Sequence, residues 1–159
     1  MSVLNKTEQG IIENIEKHGW FCMNVFDPEG EAPCFAYSIG FTKTLAAPEF
    51  IIFGLDSKLM HSMLWNIFRQ IKSGAAVETD KIWEDLLEGY DCVGRLAKSS
   101  DLYSKYVCSS DWFWRRQGYD GHPPVHQIIW PGAKKGLFPW EEGCDDYVIL
   151  QQPQLWSSK

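Results

Sequence analysis

The sequence lacks three features that would place it in a broad functional class. It has no basic stripe, no uncharged apolar run long enough to cross a membrane, and no CxxC cysteine pair. A formal net charge of −6 disfavours the phosphate neutralisation on which nucleic-acid binding depends. Charged residues interrupt positions 1–20, so that segment does not form the apolar core of a signal peptide. We therefore expect a cytoplasmic protein that binds neither nucleic acid nor a membrane.

Cysteine is odd in number and scattered, at Cys22, Cys34, Cys92, Cys108 and Cys144. Such a set produces neither a disulfide framework nor a structural zinc site, so reduced thiols are expected. Cys22, Cys34 and Cys92 fall in apolar strand patterns, and the acidic neighbours of Cys144 disfavour a thiolate. The role of Cys108 stays open, and no local signature pairs a cysteine with a histidine for catalysis.

Histidine offers one close pair, His122 and His126, at the i, i+4 spacing that can hold zinc on a helix. Two prolines lie between them and make that helix untenable. In an extended chain the rings would be roughly 13 Å apart at about 3.3 Å per residue, too far for one ion. We expect a hydrogen-bonded structural histidine at a strand start, and we predict neither a bound metal nor a cofactor.

Signatures of nucleotide binding and of serine hydrolysis are missing as well. The glycines are scattered instead of forming a phosphate-binding loop. Ser38 lacks the glycine two positions earlier that a nucleophile elbow requires. The sequence therefore identifies no catalytic residue, and a non-catalytic role is favoured.

The residues that are present indicate one folded domain. Hydrophobic residues make up 45% and charged residues 23% of the 159 positions, as is typical of globular chains. We interpret residues 1–159 as a single domain with a short flexible tail from about residue 157. Eight tryptophans are a surplus, and such large side chains either build a core or mark a contact surface.

Hydrophobic periodicity predicts an α+β fold. Apolar residues at helical spacing predict helices over 6–18 and 57–73, the second with a stripe of Leu59, Met60, Met63, Leu64, Ile67 and Ile71. Apolar runs predict strands over 20–26, 34–41, 50–55, 90–96, 125–130 and 147–150, with a short piece over 82–87 and a helix-like aromatic stretch over 101–116. The order of these elements predicts a mainly antiparallel sheet covered by two or three helices.

Short sequence blocks occur across nearly the whole chain: GW at 19–20, FAYSIGF at 35–41, PE at 48–49, FGL at 53–55, QIIWP at 127–131, GLFPW at 136–140 and QP at 152–153. Together they resemble a bacterial family known as domain of unknown function 4262. The chain departs from the family pattern at Gly132, where the family has an acidic residue, and at Gln154, which interrupts an apolar run. The resemblance implies a shared fold and a bacterial origin, and it implies no activity.

The first functional hypothesis is a non-catalytic domain that binds a basic protein partner, as an immunity or antitoxin-like factor would mask a toxin or effector. Acidic side chains attract such a partner, and tryptophan and arginine are enriched in binding hot spots. Core packing of the tryptophans and a solvated acidic loop are the alternatives. The candidate contact residues are Trp140, Glu141, Glu142, Asp145, Asp146, Trp112 and Arg115.

The second hypothesis is an enzyme or a small-ligand-binding protein whose pocket is built from the blocks that carry the family resemblance. Its candidate lining residues are Tyr37, Ser38, Glu49, His126, Gln127 and Trp130. Convergence of these side chains in one concave, partly apolar pocket would favour this hypothesis. Dispersal of the same residues beneath the surface would favour the first.

Overall fold

A central sheet organises the structure, a computed structural model that describes residues 3–157. Its strands are β1 (Phe21–Val25), β2 (Phe35–Ile39), β3 (Glu49–Phe53), β4 (Lys81–Leu87), β5 (Tyr90–Leu96) and β6 (Val125–Ile129). They form a six-stranded sheet in the order β1-β2-β3-β6-β5-β4. Strands β3 and β6 run parallel, and the other neighbouring pairs run antiparallel. The predicted α+β class and mainly antiparallel sheet are confirmed.

The helices are α1 (Lys6–His18), α2 (Phe41–Thr44), α3 (Ser57–Lys72), α4 (Cys108–Arg116) and α5 (Asp146–Leu150), with a π-helical turn over Leu102–Tyr106. Helix α1 begins with a capping box between Asn5 and Glu8 and ends at Gly19, which adopts a φ of 93°. Helix α3 begins where the Asp56 carboxylate accepts backbone N–H groups of the first turn. The two helices predicted over 6–18 and 57–73 are therefore confirmed.

Alternate residues of the strands pack into two cores on opposite faces of the sheet. On one face, Phe50 and Ile52 of β3 pack with the buried residues of α3, which are Met60, Met63, Leu64, Ile67 and Phe68. On the other face, Ile51 and Phe53 of β3 lie in a core with Ile11 and Ile15 of α1 and Phe113 of α4. The sheet is therefore a middle layer between α3 on one side and α1 with α4 on the other.

Three details of the predicted elements are corrected. Leu59, which was predicted to belong to the buried stripe of α3, is 37% exposed. Phe68, which was not predicted to belong to it, is buried. Residues 147–150 were predicted as a strand because they are apolar, but they form α5. Within that run only Val148 is buried, and Asp146 in the first turn favours a helix N-terminus. The aromatic stretch over 101–116 is divided between the π-helical turn and α4.

The C-terminal segment returns to the sheet after α5. Trp156 forms an isolated antiparallel bridge with Ala97, directly after β5. Of the tail predicted to be flexible, Ser157 is exposed, and residues 158–159 lie outside the described residues. Within residues 3–157, no helix has the length and apolar character needed to cross a membrane.

Candidate functional site

Trp140 lies in a cluster of flat side chains at the surface. The guanidinium carbon of Arg95, on β5, lies 3.7 Å from the centroid of the Trp140 ring. Phe138 stacks on Trp140 with ring centroids 5.1 Å apart, and Trp156 meets it edge-on at 5.8 Å. Arg95 is in turn paired with the Asp80 carboxylate at 2.8 Å. These contacts hold the indole ring in place, although Trp140 remains 40% exposed.

An apolar groove of about 410 Å³ lies beside Trp140. Its walls include Pro139 and Pro153 together with Ile149 and Leu150 of α5, while Arg95, Gln152 and Gln154 supply polar groups. Leu150 is 72% exposed because this short helix turns Val148, and not Leu150, towards the core. Contiguous exposed apolar surface of this kind is typical of a site that contacts another molecule.

The predicted acidic loop directly follows Trp140 in the chain and leads into α5, and its carboxylates have different environments. Glu141 accepts a hydrogen bond from the backbone N–H of Phe138 at 2.8 Å. Asp145 lies 3.1 Å from the Nζ atom of Lys135. Glu142 and Asp146 are exposed, and within residues 3–157 neither has an ion-pair or hydrogen-bond partner through its side chain. Among the described contacts of these four carboxylates, Asp145 alone has a cationic partner, so Glu141, Glu142 and Asp146 carry the unneutralised charge of the loop.

Trp112 and Arg115 lie on α4 and have partners of their own. The Arg115 guanidinium is bound by the carboxylate of Asp111, a buried residue of the same helix. Trp112 is half-buried against the core on the α1 side of the sheet. Among the described contacts, those of Arg115 and those of Trp140 share no residue. The structure therefore does not join the two parts of the predicted contact surface.

Sequence reasoning missed the role of Asp111. One carboxylate oxygen binds Arg115, and the other lies 2.6 Å from Nδ1 of His122. The His122 ring also stacks on Tyr103 with centroids 4.2 Å apart. These contacts fix the loop before β6. The hydrogen-bonded histidine expected at a strand start is not found at His126 of β6, whose Nδ1 atom has no hydrogen-bond partner within residues 3–157. The i, i+4 spacing of Asp111 and Arg115 could have indicated their ion pair, whereas the contact with His122 depends on the fold.

Glu49 and Ser38, both candidates for a pocket, form a buried network at the start of β3. Glu49 Oε1 accepts hydrogen bonds from Ser38 Oγ at 2.7 Å and from the N–H of Phe41 at 3.1 Å. Glu49 Oε2 accepts the N–H of Gly40 at 2.9 Å, so the carboxylate caps the short helix α2. Burial raises the pKa of Glu49 to about 7, although these donors act in the opposite direction.

Gln127 and Trp130 hold the C-terminal segment against β6. The side-chain amide of Gln127 donates to the carbonyl of Pro153 at 2.8 Å and accepts the N–H of Leu155 at 3.1 Å. The Trp130 backbone N–H donates to Gln152 Oε1, and Gln152 Nε2 donates back to the Trp130 carbonyl, each at 2.9 Å. The QIIWP and QP blocks are therefore structural partners. Gln152 was not among the candidates because its partner lies 22 residues away in the chain.

Tyr37 and His126 complete the set proposed for a pocket. The Tyr37 hydroxyl accepts the N–H of Ser109 at 3.3 Å, and burial raises its pKa. His126 is 5% exposed, burial lowers its pKa, and its Nδ1 atom has no hydrogen-bond partner within residues 3–157. All six candidates are buried, and their bonds belong to separate parts of the fold. Across the same residues, no three His, Cys, Asp or Glu side chains are grouped so as to hold a metal ion.

Three of the thiols, those of Cys22, Cys92 and Cys144, lie in environments that suppress ionisation. Burial raises the pKa of Cys22 to about 12 and that of Cys92 to about 12. Burial and then the Asp145 carboxylate raise the pKa of Cys144. A thiolate nucleophile is disfavoured at these three positions.

The fold and site together describe a layered α+β domain with an aromatic, acidic surface on one side. Residues 14–145 match the family described as Domain of unknown function (DUF4262), and the chain belongs to this family. At Gly132 of this chain a Cβ atom would lie 2.8 Å from Cγ2 of Val148 in α5, so a larger residue there would require that side chain to shift. No curated protein and no solved structure matches the chain.

Proposed function

We propose that the chain is a non-catalytic protein-binding domain that docks onto a basic protein and masks it, in the manner of an immunity or antitoxin-like factor. The contact region is the Trp140 surface, which consists of Trp140, Glu142, Asp146, Ile149 and Leu150. The observation that carries the proposal is the position of Trp140, which is held by Arg95 and Trp156 yet remains 40% exposed beside an apolar groove.

A fixed aromatic ring suits the role of an anchor. Ordering a mobile side chain at an interface costs about 0.5–1.5 kcal/mol, and Trp140 is already ordered by its neighbours. Tryptophan also dominates hot spots because it removes a large area from water in one contact. The exposed faces of Ile149 and Leu150 would extend that desolvated area along the groove.

The negative charge near Trp140 indicates which kind of partner the surface would bind. Glu142 lies two residues after Trp140, and Asp146 lies in the first turn of α5, the helix that carries Ile149 and Leu150. The whole chain carries a formal charge of −6. Unneutralised carboxylates around an apolar patch attract and orient a surface rich in lysine and arginine, which mainly raises the association rate. The partner expected is therefore a basic protein that presents an apolar side chain between cationic residues.

Five of the six residues proposed for a pocket, all except His126, have side-chain polar groups bound within the fold, which favours this role over a small-ligand site. Glu49 caps α2, while Gln127 and Trp130 hold the C-terminal segment. Polar groups that are already bound by the protein itself have little capacity left for a substrate.

The proposal is tested by capture from a lysate of the organism that encodes the chain. Four baits are compared: the unaltered protein, Trp140→Ala, the double variant Glu142→Lys/Asp146→Lys, and a control Glu13→Lys/Glu16→Lys. The control makes the same change of charge at exposed positions of α1. We expect a basic protein whose capture falls at least about tenfold with the first two variants, since loss of a hot spot costs about 2 kcal/mol or more. Capture that is equal for all four baits would contradict the proposal.

A further inference from the structure

The two edges of the sheet differ in how they resist pairing with another strand. Strand β4, at one edge, carries Lys81, Glu84 and Asp85, and its register with β5 is interrupted between Trp83 and Leu87. Charges and bulges are the usual means of preventing edge-to-edge association. Strand β1, at the other edge, reads FCMNV and has neither a charge nor a register shift. The edge at β1 is therefore open to a partner strand.

The hydrogen-bond register identifies the free groups of β1. The N–H of Gly54 donates to the carbonyl of Cys34, so the even-numbered residues of β2 face β3. The odd-numbered residues of β2 must then bond the odd-numbered residues of β1. The N–H and C=O groups of Cys22 and Asn24 consequently point away from the sheet. Within residues 3–157 no other segment bonds these groups.

A cleft of about 230 Å³ follows this free edge. Its lining residues are Asn14, His18, Trp20, Phe21, Cys22, Asn24, His61 and Trp65. Because α1 supplies one wall and α3 the other, and these helices cover opposite faces of the sheet, the cleft wraps around the edge of β1. One end of it is aromatic, since Trp20 lies 5.4 Å from Trp65 and 5.6 Å from His61 between ring centroids.

Phe26 supplies the side chain that fits this cleft. It directly follows β1 and is 61% exposed. If two β1 strands pair antiparallel about a two-fold axis at Met23, Cys22 of each copy bonds Asn24 of the other. In the same register, Phe26 of one copy lies opposite Trp20 of the other and on the same face of the sheet. This pairing would give the free N–H and C=O groups of β1 hydrogen-bond partners and would also remove the exposed Phe26 ring from water.

We propose that two copies of this chain associate through β1 into a two-fold dimer with a continuous sheet, in which each Phe26 fills the cleft of the other copy. A second copy is the occupant because one sequence supplies both the cleft and the ring that fills it, and a two-fold contact of this kind closes on itself. The cleft is lined by no carboxylate, lysine or arginine, so two acidic chains meet there without like charges in contact.

The test is the mass of the full chain in solution by sedimentation velocity over a range of concentrations. Asn24→Pro removes an outward N–H without removing a bond to β2, and Phe26→Ala removes the ring. Ile82→Ala is the control, because Ile82 is 62% exposed on β4, the opposite edge strand. Circular dichroism verifies that each variant folds, and Phe26→Ala keeps the test decisive if the proline variant does not.

We expect the unaltered chain and Ile82→Ala to dimerise equally, with a dissociation constant raised at least about tenfold by Phe26→Ala and a monomer for folded Asn24→Pro. Amide hydrogen exchange at Cys22 and Asn24 should slow as the dimer forms. A chain that is still monomeric at about 200 μM, or a dimer that is indifferent to Phe26→Ala, would overturn the proposal.

Discussion

The guanidinium of Arg95 lies 3.7 Å from the centre of the Trp140 ring, on the side of the molecule where β5 meets the C-terminal segment. Nε of the same guanidinium donates a hydrogen bond to the Asp80 carboxylate at 2.8 Å. Arg95 therefore acts as a support that positions Trp140, and it is only partly exposed itself. This relationship explains how a large aromatic side chain stays both ordered and exposed.

Arg95→Ala should weaken binding of the basic partner by about two- to fivefold, because an exposed cation–π contact contributes about 0.5–1 kcal/mol to the placement of Trp140. The measurement is the dissociation constant by calorimetry, with exposed Lys98→Ala as the matched control. Equal affinities for the two variants would show that Arg95 does not position the anchor.

Leu64→Ala should lower the free energy of unfolding by about 2–5 kcal/mol, because Leu64 is fully buried between α3 and the sheet. Leu59→Ala, on the exposed side of the same helix, should change it by less than about 0.5 kcal/mol. Urea denaturation of both variants provides the comparison. Similar losses of unfolding free energy at the two positions would show that the buried face of α3 is assigned incorrectly.

Gln152→Ala should destabilise the protein by about 2–4 kcal/mol, because the buried N–H and C=O of Trp130 both lose their partner. Exposed Gln154→Ala is the control and should have little effect. Hydrogen exchange should accelerate at Trp130 in the first variant alone. A stability change below about 0.5 kcal/mol would mean that the segment is held without Gln152.

Glu49 should make stability depend on pH. Its folded-state pKa is raised from 4.5 to about 7, so the native state retains a proton that the unfolded chain releases. The resulting stabilisation is fully present below about pH 4.5 and is lost as the pH rises through about 7, up to about 3 kcal/mol.

Glu49→Gln should remove this component. Urea denaturation at pH 5 and pH 8 measures it, and the unaltered protein should lose more stability between these values than the variant does. If the unfolding free energies of the unaltered protein and the variant differ by the same amount at pH 5 and at pH 8, the raised pKa of Glu49 is contradicted.

The sequence predicted the fold better than it predicted the site. Helices α1 and α3 were predictable because the caps at Asn5 and Asp56 and the apolar spacing act locally. The run over 147–150 was misread because apolar residues indicate burial, whereas Leu150 is exposed on a surface helix. Local patterns do not reveal which apolar residues the tertiary structure leaves uncovered.

The site depended on long-range contacts. Exposure of the acidic loop could be expected from its composition, but the support of Trp140 by Arg95 joins residues 45 positions apart in the printed sequence. Gln152 with Trp130 and His122 with Asp111 are likewise brought together by the fold, although they are 22 and 11 positions apart in the chain. A single sequence contains no signal that pairs such residues before the fold is known.

The most direct test of the proposed function is stopped-flow association of the captured partner at low and high salt. Reversing Glu142 and Asp146 to lysine spares Glu141 and Asp145, whose carboxylates bind the N–H of Phe138 and the Nζ of Lys135, so these two contacts of the loop are kept. Because Asp146 lies in the first turn of α5, circular dichroism must show that the variant retains the fold. The account predicts that the reversal lowers the association rate constant at least about tenfold at low salt and flattens its salt dependence, while Glu13→Lys/Glu16→Lys has a much smaller effect. An association rate that the reversal leaves unchanged at low salt would contradict the account.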